Sequence, residues 1–133
     1  MTRGPAISVA RLSLAVRDYD EAVAFFTGAL GFDVVEDEPR GGGKRWVVVA
    51  PPGSGVGILL AKAVTPEQQA RVGDQTGGRV LLFLHTDDFD AAYARMQGAG
   101  VRFVEQPRVE PHGKVVIFLD PYGNRFELIE PAR

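Results

Sequence analysis

Glu127, His85, His112, Arg11, Ser13 and Trp46 are the side chains on which chemistry or recognition could rest in this chain. A carboxylate or an imidazole can serve as a general base, so Glu127 and His85 are the candidate catalytic residues. Glu127 with His85 and His112 also offers three donors of the kind that hold a divalent cation. Such a triad requires the loop Gln106–Gly113 to carry His112 towards the other two. Ser13 lies in no Gly-x-Ser-x-Gly elbow and has no evident base beyond His85 on the same sheet face. Gly41-Gly42-Gly43 is followed by neither a lysine–serine pair nor a helix, so it reads as a hairpin tip and not a phosphate cradle. The chain has no cysteine. That removes disulfides, a thiolate nucleophile and cysteine–zinc chemistry.

The elements that position these residues repeat along the chain. Val16-Arg17-Asp18-Tyr19-Asp20-Glu21-Ala22 answers to Thr86-Asp87-Asp88-Phe89-Asp90-Ala91-Ala92. Leu30-Gly31-Phe32 answers to Ala99-Gly100-Val101, Ala50-Pro51-Pro52-Gly53 to Asp120-Pro121-Tyr122-Gly123, and Ile58-Leu59-Leu60 to Phe126-Glu127-Leu128. The four offsets are 70, 69, 70 and 68 residues. A duplicated unit follows, with module one over residues 6–61, a connector over 62–78 and module two over 79–131, all in one domain.

Within module one, Ile7 to Val16 alternates as a strand does. Asp18 opens a helix with Glu21 in capping-box spacing, Tyr19, Val23, Phe26 and Leu30 form its buried stripe, and Gly31 ends it. Strands Phe32–Asp37, Arg45–Ala50 and Val56–Ala61 follow, separated by glycine and proline turns. Module two repeats this with strand Val80–Thr86, helix Asp88–Gln97, and strands Val101–Glu105, Val115–Leu119 and Arg125–Glu130. Thr65-Pro66-Glu67 starts a short connector helix over Pro66–Val72. The order of elements predicts an α+β fold of two βαβββ modules.

Leu14-Ala15-Val16-Arg17-Asp18, Phe25-Phe26 and Leu30-Gly31-Phe32 resemble the opening module of the vicinal oxygen chelate superfamily, which includes glyoxalases, bleomycin-resistance proteins and extradiol dioxygenases. Phe118-Leu119-Asp120-Pro121-Tyr122-Gly123-Asn124-Arg125-Phe126-Glu127-Leu128 is similar to its closing signature. The stretches Val72–Arg79 and Leu84–Phe89 look like a branch whose members mostly lack an assigned reaction. The resemblance runs from about Ile7 to Glu130. It implies that the curved mixed sheets of the two βαβββ modules enclose a cavity, usually in homodimers, and in metal-using members four ligand positions on the first and last strands of each module. By that spacing the positions here are Arg11, Leu59, Leu81 and Glu127. A guanidinium repels a cation and leucine offers no donor, so one ligand of four remains and no metal or other cofactor is expected. Glu127 is instead expected to pair with Arg11.

Period-two alternation turns Leu12, Leu14 and Val16 to the helix and Arg11, Ser13 and Ala15 the other way. It likewise turns Val80, Leu82 and Leu84 under the second helix and sends Leu81, Phe83 and His85 to the cavity. The expected ligand-binding set is therefore Arg11, Ser13, Trp46, Leu59, Leu81, Phe83, His85, His112 and Glu127. Such a lining suits a small organic molecule, with Trp46 able to stack on a flat one. The leading reading is a metal-independent binder that sequesters an aromatic metabolite or antibiotic. The alternatives are a metal-dependent lyase or dioxygenase using Glu127 with His85 or His112, and a metal-free enzyme with Glu127 or His85 as base. With 45% hydrophobic and 24% charged residues the composition is that of a globular domain. A net charge of −2 argues against nucleic acid or an anionic membrane as partner. No apolar run is long enough to span a bilayer, and Met1-Thr2-Arg3-Gly4-Pro5 precedes no apolar signal core. The expectations are a cytoplasmic location and a homodimer.

Overall fold

The computed structural model describes residues 4–133; the signal-peptide reading at Met1–Arg3 falls outside the described residues. Module one consists of β1 (Arg11–Val16), α1 (Tyr19–Ala24) running into a π turn (Phe25–Ala29), β2 (Asp33–Gly41), β3 (Lys44–Ala50) and β4 (Gly57–Lys62). After the connector helix α2 (Pro66–Arg71), module two supplies β5 (Val80–His85), α3 (Phe89–Gly98), β6 (Arg102–Phe103), β7 (Arg108–Glu110), β8 (Gly113–Leu119) and β9 (Arg125–Pro131). The strands form two mixed sheets. Sheet one has the order β1-β4-β3-β2 and sheet two the order β5-β9-β8-β6, with β7 also paired to β8. In each, the module's first strand runs parallel to its last, as the repeat requires.

Local chemistry explains the helix starts. Thr65 forms a reciprocal capping box with Gln68 at the start of α2. The Asp88 carboxylate accepts from the Ala91 N–H at 3.1 Å. Asp18 caps α1 by accepting from the Asp20 N–H at 2.8 Å, whereas Glu21 turns outward to Arg17 at 2.9 Å. The expected box between Asp18 and Glu21 therefore does not close. Gly31 (φ +70°) ends the helical segment in the left-handed region, as its position implied.

One hydrophobic core serves both modules. Leu14, Val47, Val49 and Leu60 from sheet one join Val116, Phe118 and Phe126 from sheet two, with Phe26, Phe89 and Met96 from the helices. Phe126 lies at its centre, its ring centroid 6.3 Å from Phe25, 6.1 Å from Phe26 and 5.5 Å from Phe118. Arg95 of α3 crosses to the π turn, donating to the carbonyls of Gly28 at 3.0 Å and Thr27 at 3.2 Å. The connector ties the halves a second time. The Gln75 side chain accepts from the Ala15 N–H at 3.1 Å, and its backbone N–H donates to Asn124 Oδ1 at 3.3 Å.

Two expectations change. Residues Ile7–Ala10 do not join β1: the Gly57 N–H donates to the Ala10 carbonyl at 3.0 Å, and the Pro51–Val56 turn leaves nothing beyond it to pair with. The strand expected over Val101–Glu105 shortens to two residues. Glu105 bends its carboxylate into the ladder, accepting from the Ile117 N–H at 2.9 Å, and Pro107 has no N–H to continue the pairing. β7 then forms a hairpin with β8. The two mixed sheets agree with the expected α+β fold, and they are curved and not closed.

Candidate functional site

Each sheet has one face against the helices, and the polar candidates lie on the other, where Val48 of sheet one and Val115 of sheet two are nonetheless fully buried. On sheet one, Arg11 pairs with Gly57, Ser13 with Leu59, and Leu59 in turn with Val48, so these residues share a face. Trp46 and Glu38 are register partners on the same side, as are Val48 and Glu36. Gly57 makes room for the arginine: a Cβ there would lie 3.2 Å from Arg11 Cδ and 2.6 Å from Val48 Cγ1.

Glu36 organises this face. Its Oε2 accepts from the Arg11 guanidinium at 3.0 Å and from the Trp46 indole N–H at 3.2 Å. Those two bonds, the indole first, hold the Glu36 carboxyl below its ordinary range. Arg40 lies over the Trp46 ring at 5.4 Å from its centroid and pairs with Glu38 at 3.3 Å. The indole is thus fixed at its edge and covered by a cation on one face. Asp37, on the opposite side of β2, is lowered in the same way by its bonds from Arg45. A carboxyl depressed on folding contributes stability above its unfolded pKa and loses it as pH falls through the folded value. The difference in urea midpoint between the wild type and Glu36→Gln should therefore shrink as pH drops from about 5 to about 3. An unchanged difference across that range would show that the Glu36 bonds do not form in solution.

On sheet two, Glu127 lies between Phe83 and Ile117 in register, and His85 pairs with Ile129. The Glu127 side chain is 12% exposed and lies 3.5 Å from Arg108 Nη2. Arg108 also donates to Glu105 at 2.9 Å and Glu110 at 2.8 Å. The expected Arg11–Glu127 pair is therefore replaced by two separate pairs, Arg11–Glu36 and Arg108–Glu127, one on each sheet. Leu81 also departs from expectation. Register slips between Val80 and Leu82, and Leu81 in that bulge packs against the core, so it leaves the outward row of Phe83 and His85.

The ligand positions implied by family resemblance do not fit a metal ion. Arg11 is engaged by Glu36, Leu59 and Leu81 carry no donor, and Glu127 faces Arg108. His85 stands two residues along from Phe83, roughly 7 Å from the Glu127 row. His112 is exposed in the β7–β8 turn, beside the strand end at Pro131. Among the described residues, no three His, Cys, Asp or Glu side chains converge as a metal site.

The structure thus groups Arg11, Ser13, Trp46 and Leu59 on one face and Phe83, His85 and Glu127 on another. Among the described residues, no hydrogen bond or ion pair joins the two groups. A groove of about 650 Å³ runs beside β5, lined by Phe32 and Pro51 of module one and Phe83, His85 and Arg95 of module two. Sequence reasoning missed Glu36, Arg40, Glu105 and Arg108. The repeat carried a signal for two of them, because Glu36 and Glu105 stand 105−36 = 69 residues apart, within the module offset.

Two βαβββ units, each with a mixed sheet and few helices, define an α+β class of fold. The chain belongs to the Glyoxalase/Bleomycin resistance protein/Dioxygenase superfamily, whose model matches residues 8–128. An uncharacterised protein of Shewanella frigidimarina is 50% identical over 125 residues, covering 92% of this chain and 93% of that one. Among solved structures, UcmS2 superposes with a TM-score of 0.81 at 31% identity, covering 95% of this chain and 99% of its own. TnmS3, an antibiotic binding protein from Streptomyces sp. CB03234, superposes with a TM-score of 0.77 at 35% identity, covering 97% of this chain and 100% of its own. Among the described residues no helix is long and apolar enough to cross a membrane.

Proposed function

We propose that this protein binds a small, flat organic molecule in the cytoplasm without a metal ion, as an antibiotic- or metabolite-sequestering protein does. The observation that carries this reading is Trp46: an indole held by Glu36, overlaid by Arg40, on the same face as Ser13 and Leu59. An anchored aromatic with a cation over one face offers a stacking platform, and the nearby hydroxyl and carboxylates orient polar substituents. The 35% identity to an antibiotic binding protein supports the same reading. Two open faces in one chain bury a ligand on both sides only when a second copy brings its sheet opposite, so the binding unit is a homodimer.

Trp46 is the chain's single tryptophan, so its emission reports on this face alone. Titration of EDTA-treated protein with an anthraquinone should quench it saturably, and divalent metal should leave the curve unchanged. Calorimetry on Trp46→Ala should show binding weakened on the order of 10- to 100-fold, the usual cost of losing an aromatic anchor. Binding that appears only when metal is added back would overturn the proposal.

A further inference from the structure

The two modules also meet where their helical segments end, each closed by a left-handed glycine, Gly31 (φ +70°) and Gly100 (φ +77°). Arg95 of α3 holds the two ends together through the Gly28 and Thr27 carbonyls. Gly28 and Gly100 bring no side chain to fill the space between, and a Cβ on either would meet nothing within 4 Å. The result is a cavity of about 330 Å³, walled by Ala24, Phe25, Val101 and Leu119. That volume lies at the small end of the roughly 300–1,000 Å³ of small-molecule sites. None of the residues of the Trp46 face lines it. Its floor is firm, because the Phe25 ring packs edge-on against Phe126 of the core at 6.3 Å.

Three charged residues reach this cavity, Glu21, Arg102 and Asp120. Both Glu21 oxygens accept from Arg17 at 2.9 Å. The buried Asp120 carboxylate accepts from the Tyr122 and Asn124 N–H groups and from the Asn124 side-chain amide. The carbonyls at the helix ends are likewise occupied, by Arg95 and by the Gly31, Gly100 and Val101 N–H groups. Arg102 is the exception. It donates to the Asp120 carbonyl at a long 3.4 Å, and among the described residues no carboxylate pairs with it. Most of its guanidinium donors therefore stay available for an anion.

We infer that this cavity is a second binding site, for a compact apolar molecule carrying one carboxylate. Its hydrocarbon part fills the space beside Phe25, and its carboxylate pairs with the Arg102 fork, which matches a carboxylate with two parallel bonds. Charge complementarity selects this ligand. An ammonium would meet Arg102 as a like charge and find both carboxylates already matched, and a neutral hydrocarbon would leave the guanidinium without a partner. The site shares no residue with the aromatic-binding face proposed above, and neither reading depends on the other.

Octanoate and octylamine are the probes. Calorimetry on the wild type should show saturable binding of octanoate and none of octylamine. Gly28→Leu places a side chain in open space and fills the cavity, so octanoate binding should be lost while the circular dichroism stays unchanged. Arg102→Gln should weaken octanoate about 10-fold, the loss of one charge-assisted pairing. Anthraquinone quenching of Trp46 should be the same in the wild type and in Gly28→Leu, and octanoate should not compete with it. Absence of octanoate binding would overturn the inference, as would octylamine binding equally well. Octanoate that competes with the anthraquinone, or that still binds a folded Gly28→Leu, would overturn it too. If Gly28→Leu does not fold, Arg102→Gln decides alone, and an unchanged affinity removes the site.

Discussion

Phe126→Ala should lower the stability of this protein by about 3–5 kcal/mol, the range for truncating a fully buried phenylalanine. Phe126 is 0% exposed and its ring meets Phe25 and Phe26 of module one as well as Phe118 of its own sheet. The cavity therefore opens where the two modules adhere, and neither can collapse into it without parting from the other. Urea denaturation should show the midpoint fall with no new intermediate. Phe83→Ala is the control: Phe83 is 61% exposed, and its loss should change stability by no more than about 0.5 kcal/mol. Equal effects from the two would show that the core is not continuous across the modules.

Gly73→Ala should be nearly as damaging, at about 3 kcal/mol or more, for a different reason. Gly73 has φ +80°, where a side chain is strained, and a Cβ there would lie 1.9 Å from the Tyr122 carbonyl oxygen. The connector passes that close because Gln75 must reach both Ala15 and Asn124. The Asp120–Asn124 turn cannot retreat, since the buried Asp120 accepts from the Tyr122 and Asn124 N–H groups at 3.0 and 2.9 Å. Gly42 provides the comparison, with φ +62° and nothing within 4 Å of an added Cβ. Gly42→Ala should cost only the left-handed backbone term, about 1–2 kcal/mol. Thermal melts of the two variants that coincide would remove the steric argument.

Much of this architecture was legible in the residues. The order of elements pointed to an α+β fold, and two mixed sheets are present. Turn and cap chemistry marked Thr65, Asp88 and Gly31. What was hidden depends on contacts across sequence distance. A one-residue bulge moves Leu81 off its row, and nothing local announces it. The partner of Glu127 is Arg108 because the β7 hairpin brings it there, and that hairpin exists because Glu105 and Pro107 interrupt an expected strand. Ile7 and Val9 read as strand, which is sound local chemistry, yet among the described residues no strand pairs with them. Enclosure of a cavity could not be judged from one sequence, because it depends on how the sheets are placed relative to each other.

The last strand of the chain lies inside its sheet, between β5 and β8, not at the rim. A ribosome that has released everything up to Asn124 has therefore made a β5 with no neighbour and a β8 paired on one side only. Module two cannot close until the β9 residues Arg125–Pro131 have emerged. Truncation before β9 should thus yield an aggregating chain, because β5 and β8 are left with exposed edges.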